Sequence, residues 1–290
     1  MSGRLTSEED AVLTVVATPI GNLDDLSPRA AAALRDADLV ACEDTRRTAV
    51  LLRHAGATAP MIALHAHNEA ARAAQLCTRM VAGERVALVS DAGMPAVSDP
   101  GARLVRAAAD AGLAVSVIPG PSAVTAALAL SGLGEGAGFV FLGFLARRTA
   151  ERAAQIADLA ALTVPAVAYE SPNRLPATLA ALAQAFPERP LAVCRELTKV
   201  HEQVVRGSAR ELAERFAEAP KGEITLVIGP AAPDDHGDDD RALRAGLAVM
   251  IEAGMGAGRA AEALSALGLS GRNRAYALAL EVAAANRAAK

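Results

Sequence analysis

Between residues 13 and 130, short apolar runs alternate with segments of helical period, and each run ends in Gly, Pro, Asp or Ser. The runs read LTVVA, ADLVACED, MIALH, VALVS and AVSVI. Parallel strands need long crossovers, and a strand apolar throughout needs cover on both faces, so this alternation predicts a parallel sheet with helices on either side. Open sheets of this kind bind ligands just beyond the carboxyl ends of their strands. The stretch VALVSDAGMPAVSDPG, residues 86–101, has that form, a buried run opening into a long loop with Ser90, Asp91 and Gly93 at its start. IPGPSA, residues 118–123, repeats the design, and two such loops can line one crevice.

Punctuation fixes the elements. Ser27 is an N-cap and Pro28 suits the first helical position, where its missing N–H costs nothing. Helices are predicted over 45–54, 68–82, 101–111 and 121–130, with Gly56, Gly83 and Gly112 closing the first three. At SGLGEGAG, residues 131–138, periodicity gives way to Gly, which marks a boundary. Beyond it FVFLGF, VPAVAYE, PLAVC, QVVRG and EITLVIGP read as strands. Helices fall over 150–162, after SPNR, and from Ser208, where Glu211 completes a capping box. These shorter, hairpin-prone strands predict a mixed sheet. The run AAPDDHGDDD reads as a linker, and three amphipathic segments over 241–253, 257–267 and 272–287 as a small helical appendage. The expected organisation is an N-terminal α/β domain over 12–131, a second α/β domain over 138–230, an acidic linker over 231–240 and a helical, helix-turn-helix-like extension over 241–290.

Several function classes are excluded. No apolar run approaches the ~18 residues of a membrane span, and the opening MSGRLTSEED is polar, so a cytoplasmic protein without membrane contact is expected. Cys42, Cys77 and Cys194 sit far apart in apolar surroundings and are expected as reduced thiols. His65 and His67 project to one side of an extended segment but lack a third ligand, so no metal site is expected. GxxxxGK[ST] and GxSxG are absent, and the Gly-x-Gly runs at Gly132 and Gly256 lack a strand-turn-helix context. With a net charge of −4 the chain exerts no general pull on nucleic acid. Only from Gly254 onward do bases, Arg259, Arg272, Arg274, Arg287 and Lys290, outnumber the acids Glu262 and Glu281. That tail fits a helix-turn-helix touching nucleic acid, and equally a bundle packing on the body or on a partner subunit.

Charge also gathers at strand ends. In Glu43-Asp44-Thr45-Arg46-Arg47 two acids close a strand and two arginines open a helix, a ligand clamp or simply a helix-start charge pattern. YESPNR, CRELTK and KGEIT repeat the theme, and together with the two Gly/Pro loops they mark one polar rim around the sheet.

TPIGNLDDLSPRA, EDTRRT, LHAHNE, SDAGMPAVSDPG, IPGPSA, GFL, YESPNRL, RELTKVHE and KGEITLVI stand in the order and at about the spacing found in the tetrapyrrole methylase superfamily. The chain most resembles the branch that methylates small-subunit ribosomal RNA. The likeness covers residues 12 to about 230, and the tail resembles that branch's C-terminal extension. It implies a two-domain α/β fold that binds S-adenosyl-L-methionine in a cleft between the domains, as a homodimer. The implied reaction is methyl transfer to a cytidine ribose 2′-hydroxyl within the assembled small subunit. By this resemblance Pro19, Ile20 and Gly21 form the first cofactor loop, Asp91, Gly93 and Met94 the second, and Ser122 and Ala123 the third. Tyr169, Leu197, Glu223 and Thr225 form the wall from the second domain. A base must receive the hydroxyl proton, and Glu170, Lys199, Glu43 and Asp44 are the candidates. Arg46, Arg174, Arg195, Arg259, Arg272 and Arg274 are expected to hold RNA. A small-molecule methyltransferase of the same fold, such as one acting on tetrapyrroles, and an inert RNA-binding or ribosome-binding assembly factor are the alternatives.

Overall fold

The computed structural model describes residues 12–134, 136, 138–231, 237–267 and 269–288. The chain divides into two compact units, Met1–Ala231 and Ala232–Lys290.

The first unit holds two five-stranded sheets. Strands β1 (Leu13–Val16), β2 (Leu39–Cys42), β3 (Met61–Ala63), β4 (Val86–Leu88) and β5 (Val115–Ile118) form a parallel sheet in the order β3-β2-β4-β1-β5. Helices α1 (Pro28–Asp36), α2 (Thr45–Ala55), α3 (Glu69–Val81) and α4 (Ala102–Asp110) make the crossovers. Ser27 caps α1 by accepting from the Ala30 N–H, and Gly56 closes α2 in the left-handed conformation. Separate apolar clusters fill the two faces, one with Leu13, Leu76, Leu88 and Leu104, the other with Val16, Leu34, Val40 and Leu52.

The second sheet is mixed, in the order β6-β7-β10-β8-β9: β6 (Val140–Phe144), β7 (Ala166–Glu170), β8 (Pro190–Arg195), β9 (Gln203–Ser208) and β10 (Ile224–Ile228). Only β6 and β7 are parallel. The last strand, β10, inserts antiparallel between β7 and β8 and is buried along its whole length. Helices α6 (Thr149–Asp158), α7 (Leu175–Ala185) and α8 (Ala209–Arg215) accompany the sheet, α8 opening with the Ser208–Glu211 capping box. The cluster of Ile156, Leu179, Leu182, Leu212 and Leu226 fills one face.

The other face is covered by α5 (Ala123–Ser131), a helix expected with the first domain. Val124 and Ala127 pack against Val167, Ala192, Cys194 and Val227, and Arg206 on β9 donates to the Leu130 and Ser131 carbonyls at the helix end. The reason lies in AVTAALALS, which is apolar on nearly every side and needs a second surface. The two sheets are therefore joined by packing as well as by the chain.

In the second unit α9 (Gly237–Glu252), α10 (Ala257–Ala266) and α11 (Arg272–Ala288) share a core of Leu243, Leu247, Leu264, Ala275 and Leu278. Helix α9 starts at Gly237, inside the expected linker. Residues 232–236 of that linker lie outside the described residues. No helix among the described residues is long and apolar enough to cross a membrane.

The loop from Val89 to Gly101 is anchored at both ends. Gly101 has φ +125°, and a Cβ there would stand 2.7 Å from Cδ2 of the buried Leu88, so only glycine turns the chain here into α4. The buried Glu69 on α3 accepts from the Gly101 and Arg103 N–H groups, both at 2.9 Å, capping α4 from a neighbouring helix. Replacing it strands two amide donors. Glu69→Ala is expected to cost about 2–4 kcal/mol, read as a lower urea midpoint with an unchanged m-value.

Candidate functional site

At the carboxyl edge of the first sheet, the loops after β1 and β4 are tied to each other. Thr18 N donates to Gly93 O at 2.8 Å, and Gly93 N donates to Thr18 O at 3.1 Å. The buried Thr18 hydroxyl lies 3.2 Å from Ser90 O, which it can donate to. The β1 loop also reaches the second half of the unit. A Cβ on Gly21 would lie 2.7 Å from Leu197 O and 2.5 Å from Lys199 Cγ, and Asn22 N donates to Thr198 Oγ1 at 3.1 Å. In return the loop after β8 turns sharply, with positive φ at Glu196 and Thr198.

Between these loops lies a cavity of about 350 Å³. Ile20, Ala92, Ser98, Asp99 and Ala123 line it from the first half, and Tyr169, Glu170, Leu197, Glu223 and Thr225 from the second, with Phe144 leaning on Tyr169 at 5.4 Å between ring centres. A larger groove of about 480 Å³ runs beside α1 past Thr14, Arg29 and Arg85. It lies along the face of the sheet and holds none of the residues singled out at the strand ends.

Of the cofactor contacts expected from the resemblance, Ile20, Ala123, Tyr169, Leu197, Glu223 and Thr225 line the cavity. Pro19, Gly21, Asp91, Gly93, Met94 and Ser122 do not line it. Asp91 accepts from Asp44 N at 3.1 Å and lies 3.5 Å from Arg47, beside a smaller hollow that also holds Pro19. Met94 packs into the core of the first sheet, and Gly93 is spent in the bridge to Thr18. Ser122 is the N-cap residue of α5, one position before the wall.

The expected proton acceptors are placed unequally. The Glu170 side chain is fully enclosed; its carboxylate accepts from Thr178 Oγ1 at 2.6 Å and Ser171 N at 2.8 Å and pairs with Arg174 at 3.2 Å. Lys199 bridges Glu196 at 2.8 Å and Glu223 at 3.0 Å. Burial opposes its charge, but those carboxylates outweigh it and raise its pKa, so it stays a cation. Asp44 caps α2 and is held down to about 2, first by the hydrogen bond from the Arg46 side chain. Glu43 is raised by burial and by the charge of Asp91, against the pull of Arg47, but lies outside the cavity wall.

The arginines also divide. Arg174 donates to the Leu145 and Ala146 carbonyls and Arg195 to Gln203 and the Lys221 carbonyl, so both are engaged in holding loops. The Arg46 side chain is 89% exposed beside Asp44, and Arg259 is exposed on α10. Arg274 is partly buried, and the side chain of Arg272 lies outside the described residues.

Asp99, Ser98 and Phe144 were missed in the sequence. Asp99 stands in SDPG, eight residues beyond Asp91, and reaches the cavity because Ala96 and Ser98 take left-handed φ of 67° and 64° and fold the loop back. Burial, then the charges of Glu43 and Asp91, raise its carboxyl to about 6, against a hydrogen bond from Ser90. Burial likewise pushes the Cys194 thiol to about 11, leaving it a packing group. Among the described residues no group of three or more His, Cys, Asp or Glu is arranged to hold a metal ion.

Residues 12–213 match the tetrapyrrole (corrin/porphyrin) methylases. The chain belongs to the tetrapyrrole methylase family. Its relatives include a ribosomal RNA small subunit methyltransferase I of Synechocystis sp., 43% identical over 277 residues that cover 94% of this chain and 99% of that one. A protein of the same description from Mycobacterium tuberculosis is 49% identical over 227 residues, covering 76% and 78%. In fold the chain is similar to the uroporphyrin-III C-methyl transferase of Thermus thermophilus crystallised with S-adenyl homocysteine, with a TM-score of 0.52 at 18% identity over 76% of this chain and 98% of that one. Like other tetrapyrrole methylases, the chain is a methyltransferase.

The close approach at Gly21 makes that position a test of how the two halves hold the cavity. Gly21→Ala meets backbone at Leu197 and is expected to cost about 1–3 kcal/mol. It should also weaken binding in the cavity and speed hydrogen exchange at the Asn22 amide. Unchanged exchange there would mean that the loops do not depend on this contact.

Proposed function

We propose that the cavity binds S-adenosyl-L-methionine and that the protein transfers its methyl group to the ribose 2′-hydroxyl of a cytidine in small-subunit ribosomal RNA. The substrate comes from the relatives, named as ribosomal RNA small subunit methyltransferases I at 43% and 49% identity. The observation that carries the cofactor is the sign of the wall. Among the described residues Asp99, Glu170 and Glu223 line the cavity, and no Lys, Arg or His does. Such a wall suits a sulfonium cation flanked by apolar and aromatic surface, and repels phosphate-bearing cofactors. It equally disfavours a polycarboxylate tetrapyrrole as the acceptor, which argues against the small-molecule alternative.

With sulfonium and ribose held in line, positioning supplies much of the acceleration, and the chain's task is to hold both and remove a proton. The exposed Arg46 and the tail arginines Arg259, Arg272 and Arg274 are the groups we assign to RNA phosphates. We assign the protein to the cytoplasm, acting as a homodimer on the assembled small ribosomal subunit.

The test is methylation of purified small subunits lacking the modification, with naked ribosomal RNA as comparison. Label is expected on a cytidine 2′-oxygen and preferentially on the subunit; label on base atoms would overturn the reaction. Calorimetry separates an enzyme from an inert assembly factor, since the latter would show no binding at millimolar S-adenosylmethionine. Phe144 is largely exposed, so Phe144→Ala should spare the core. It is expected to weaken cofactor binding by about 1–2 kcal/mol, roughly tenfold. Unchanged affinity would remove Phe144 from the site.

A further inference from the structure

We propose that Asp99 is the proton acceptor of the methyl transfer, taking the ribose 2′-hydroxyl proton as that oxygen attacks the methyl carbon. The assignment rests on the reading of the cavity as the place where cofactor and ribose meet. In the step the O2′–C bond forms as the S–C bond breaks. The bonding pair remains on sulfur, which becomes the neutral thioether of S-adenosylhomocysteine, and the proton passes from O2′ to the Asp99 carboxylate and later to water.

Three carboxylates reach the cavity, and two are committed elsewhere. Glu170 has both oxygens engaged, by Thr178, the Ser171 N–H and Arg174, and its side chain is fully enclosed, so a proton from the cavity has no open lone pair to reach. Glu223 is held by Lys199 in a side chain 63% exposed to solvent. Lys199 carries its own proton already. Among the described residues Asp99 alone of the three is both partly buried and without a cation at ion-pair distance.

What faces Asp99 is arranged to make it a base. Glu43 comes from the end of β2, Asp91 and Ser90 from the loop after β4, and Tyr169 from β7; Arg47 on α2 is turned to Asp91 and Glu43. Two carboxylates and partial burial raise the affinity of Asp99 for a proton, while the Ser90 hydrogen bond limits the rise. With its carboxyl at about 6, Asp99 is ionised at neutral pH yet far more basic than an ordinary aspartate, as general-base catalysis requires. The left-handed Ala96 and Ser98 show that the loop bends at some cost to deliver this residue.

The sign of the pH dependence follows. Below about 6 Asp99 is protonated and cannot accept, so the rate falls with falling pH; above it the rate is level. The experiment is single-turnover methylation of small subunits with S-adenosylmethionine below saturation, so that the profile reports the free enzyme, for the wild type and Asp99→Asn, between about pH 5 and pH 8. Asp99→Asn is expected to lose roughly 10²- to 10⁴-fold in rate, well beyond any loss of cofactor affinity, which calorimetry measures separately. The wild-type acidic limb should be absent from the residual activity of the variant. A variant rate within about fivefold of wild type, or an acidic limb that persists in it, overturns the assignment. So does a wild-type rate flat across the range, which needs no variant at all. Should Asp99→Asn fail to fold by circular dichroism, Asp99→Ser is read in the same way. Wild-type label on base atoms would sink the ribose reaction itself, whereas label on the 2′-oxygen with full-rate Asp99→Asn would sink only the role of Asp99.

Discussion

Two backbone hydrogen bonds between Thr18 and Gly93 hold the site together. Thr18 follows β1 and Gly93 follows β4, neighbouring strands at the middle of the parallel sheet, and an antiparallel bridge between them ties the two loops together past the point where the strands have ended. Loops at a sheet edge are ordinarily its most mobile part. Here the bridge fixes their starts, the buried Thr18 hydroxyl adds a contact to the Ser90 carbonyl, and Glu69 fixes the far end of the second loop at Gly101. Between these fixed points the chain can carry left-handed residues and crowded carboxylates that an untethered loop would relax. The energy stored at the cavity is thus supported from outside it.

A second constraint joins the halves. Helix α5 follows the first sheet in the chain but covers the second, and Gly21 lets the β1 loop lie against the Leu197 carbonyl. Ile20 and Leu197 belong to the same apolar cluster as α5. The wall of the cavity is therefore continuous with a packed core, and the separation of the two halves is set by side-chain volume rather than by a free hinge. A ligand between them meets a largely formed site.

The parallel sheet was legible in the sequence because strand burial on both faces leaves uninterrupted apolar runs, and glycine and Ser-Pro punctuation marks the helices between them. Pairing order and the partner of α5 were not legible. AVTAALALS has no distinct polar face, so its period could not say which sheet it covers. At the site, the residues named from the resemblance divide by geometry. Those on strands or beside tight turns, such as Tyr169, Thr225 and Ile20, reach the cavity, since strand alternation and short turns fix direction. Asp91 and Met94 sit in a long loop where direction depends on tertiary contacts, and they turn to Arg47 and to the core instead. Asp99 escaped for the same reason, because nothing local announces that Ala96 and Ser98 will adopt positive φ.

The distribution of charge resolves an apparent conflict. A chain of net charge −4 is an unpromising partner for RNA, and its cavity is the more acidic for Asp99, Glu170 and Glu223. Those acids serve different ends. Glu170 is neutralised internally by Arg174, whose guanidinium also ties down the Leu145 and Ala146 carbonyls. Glu223 and Glu196 share Lys199 and shape the turn opposite Gly21. Only around Asp99 do Glu43 and Asp91 accumulate charge that the local cations leave partly uncompensated, and a protein tolerates such repulsion at a cost in stability. A sulfonium in the cavity lowers that cost, so the same electrostatics that make Asp99 basic also favour a positively charged methyl donor beside it.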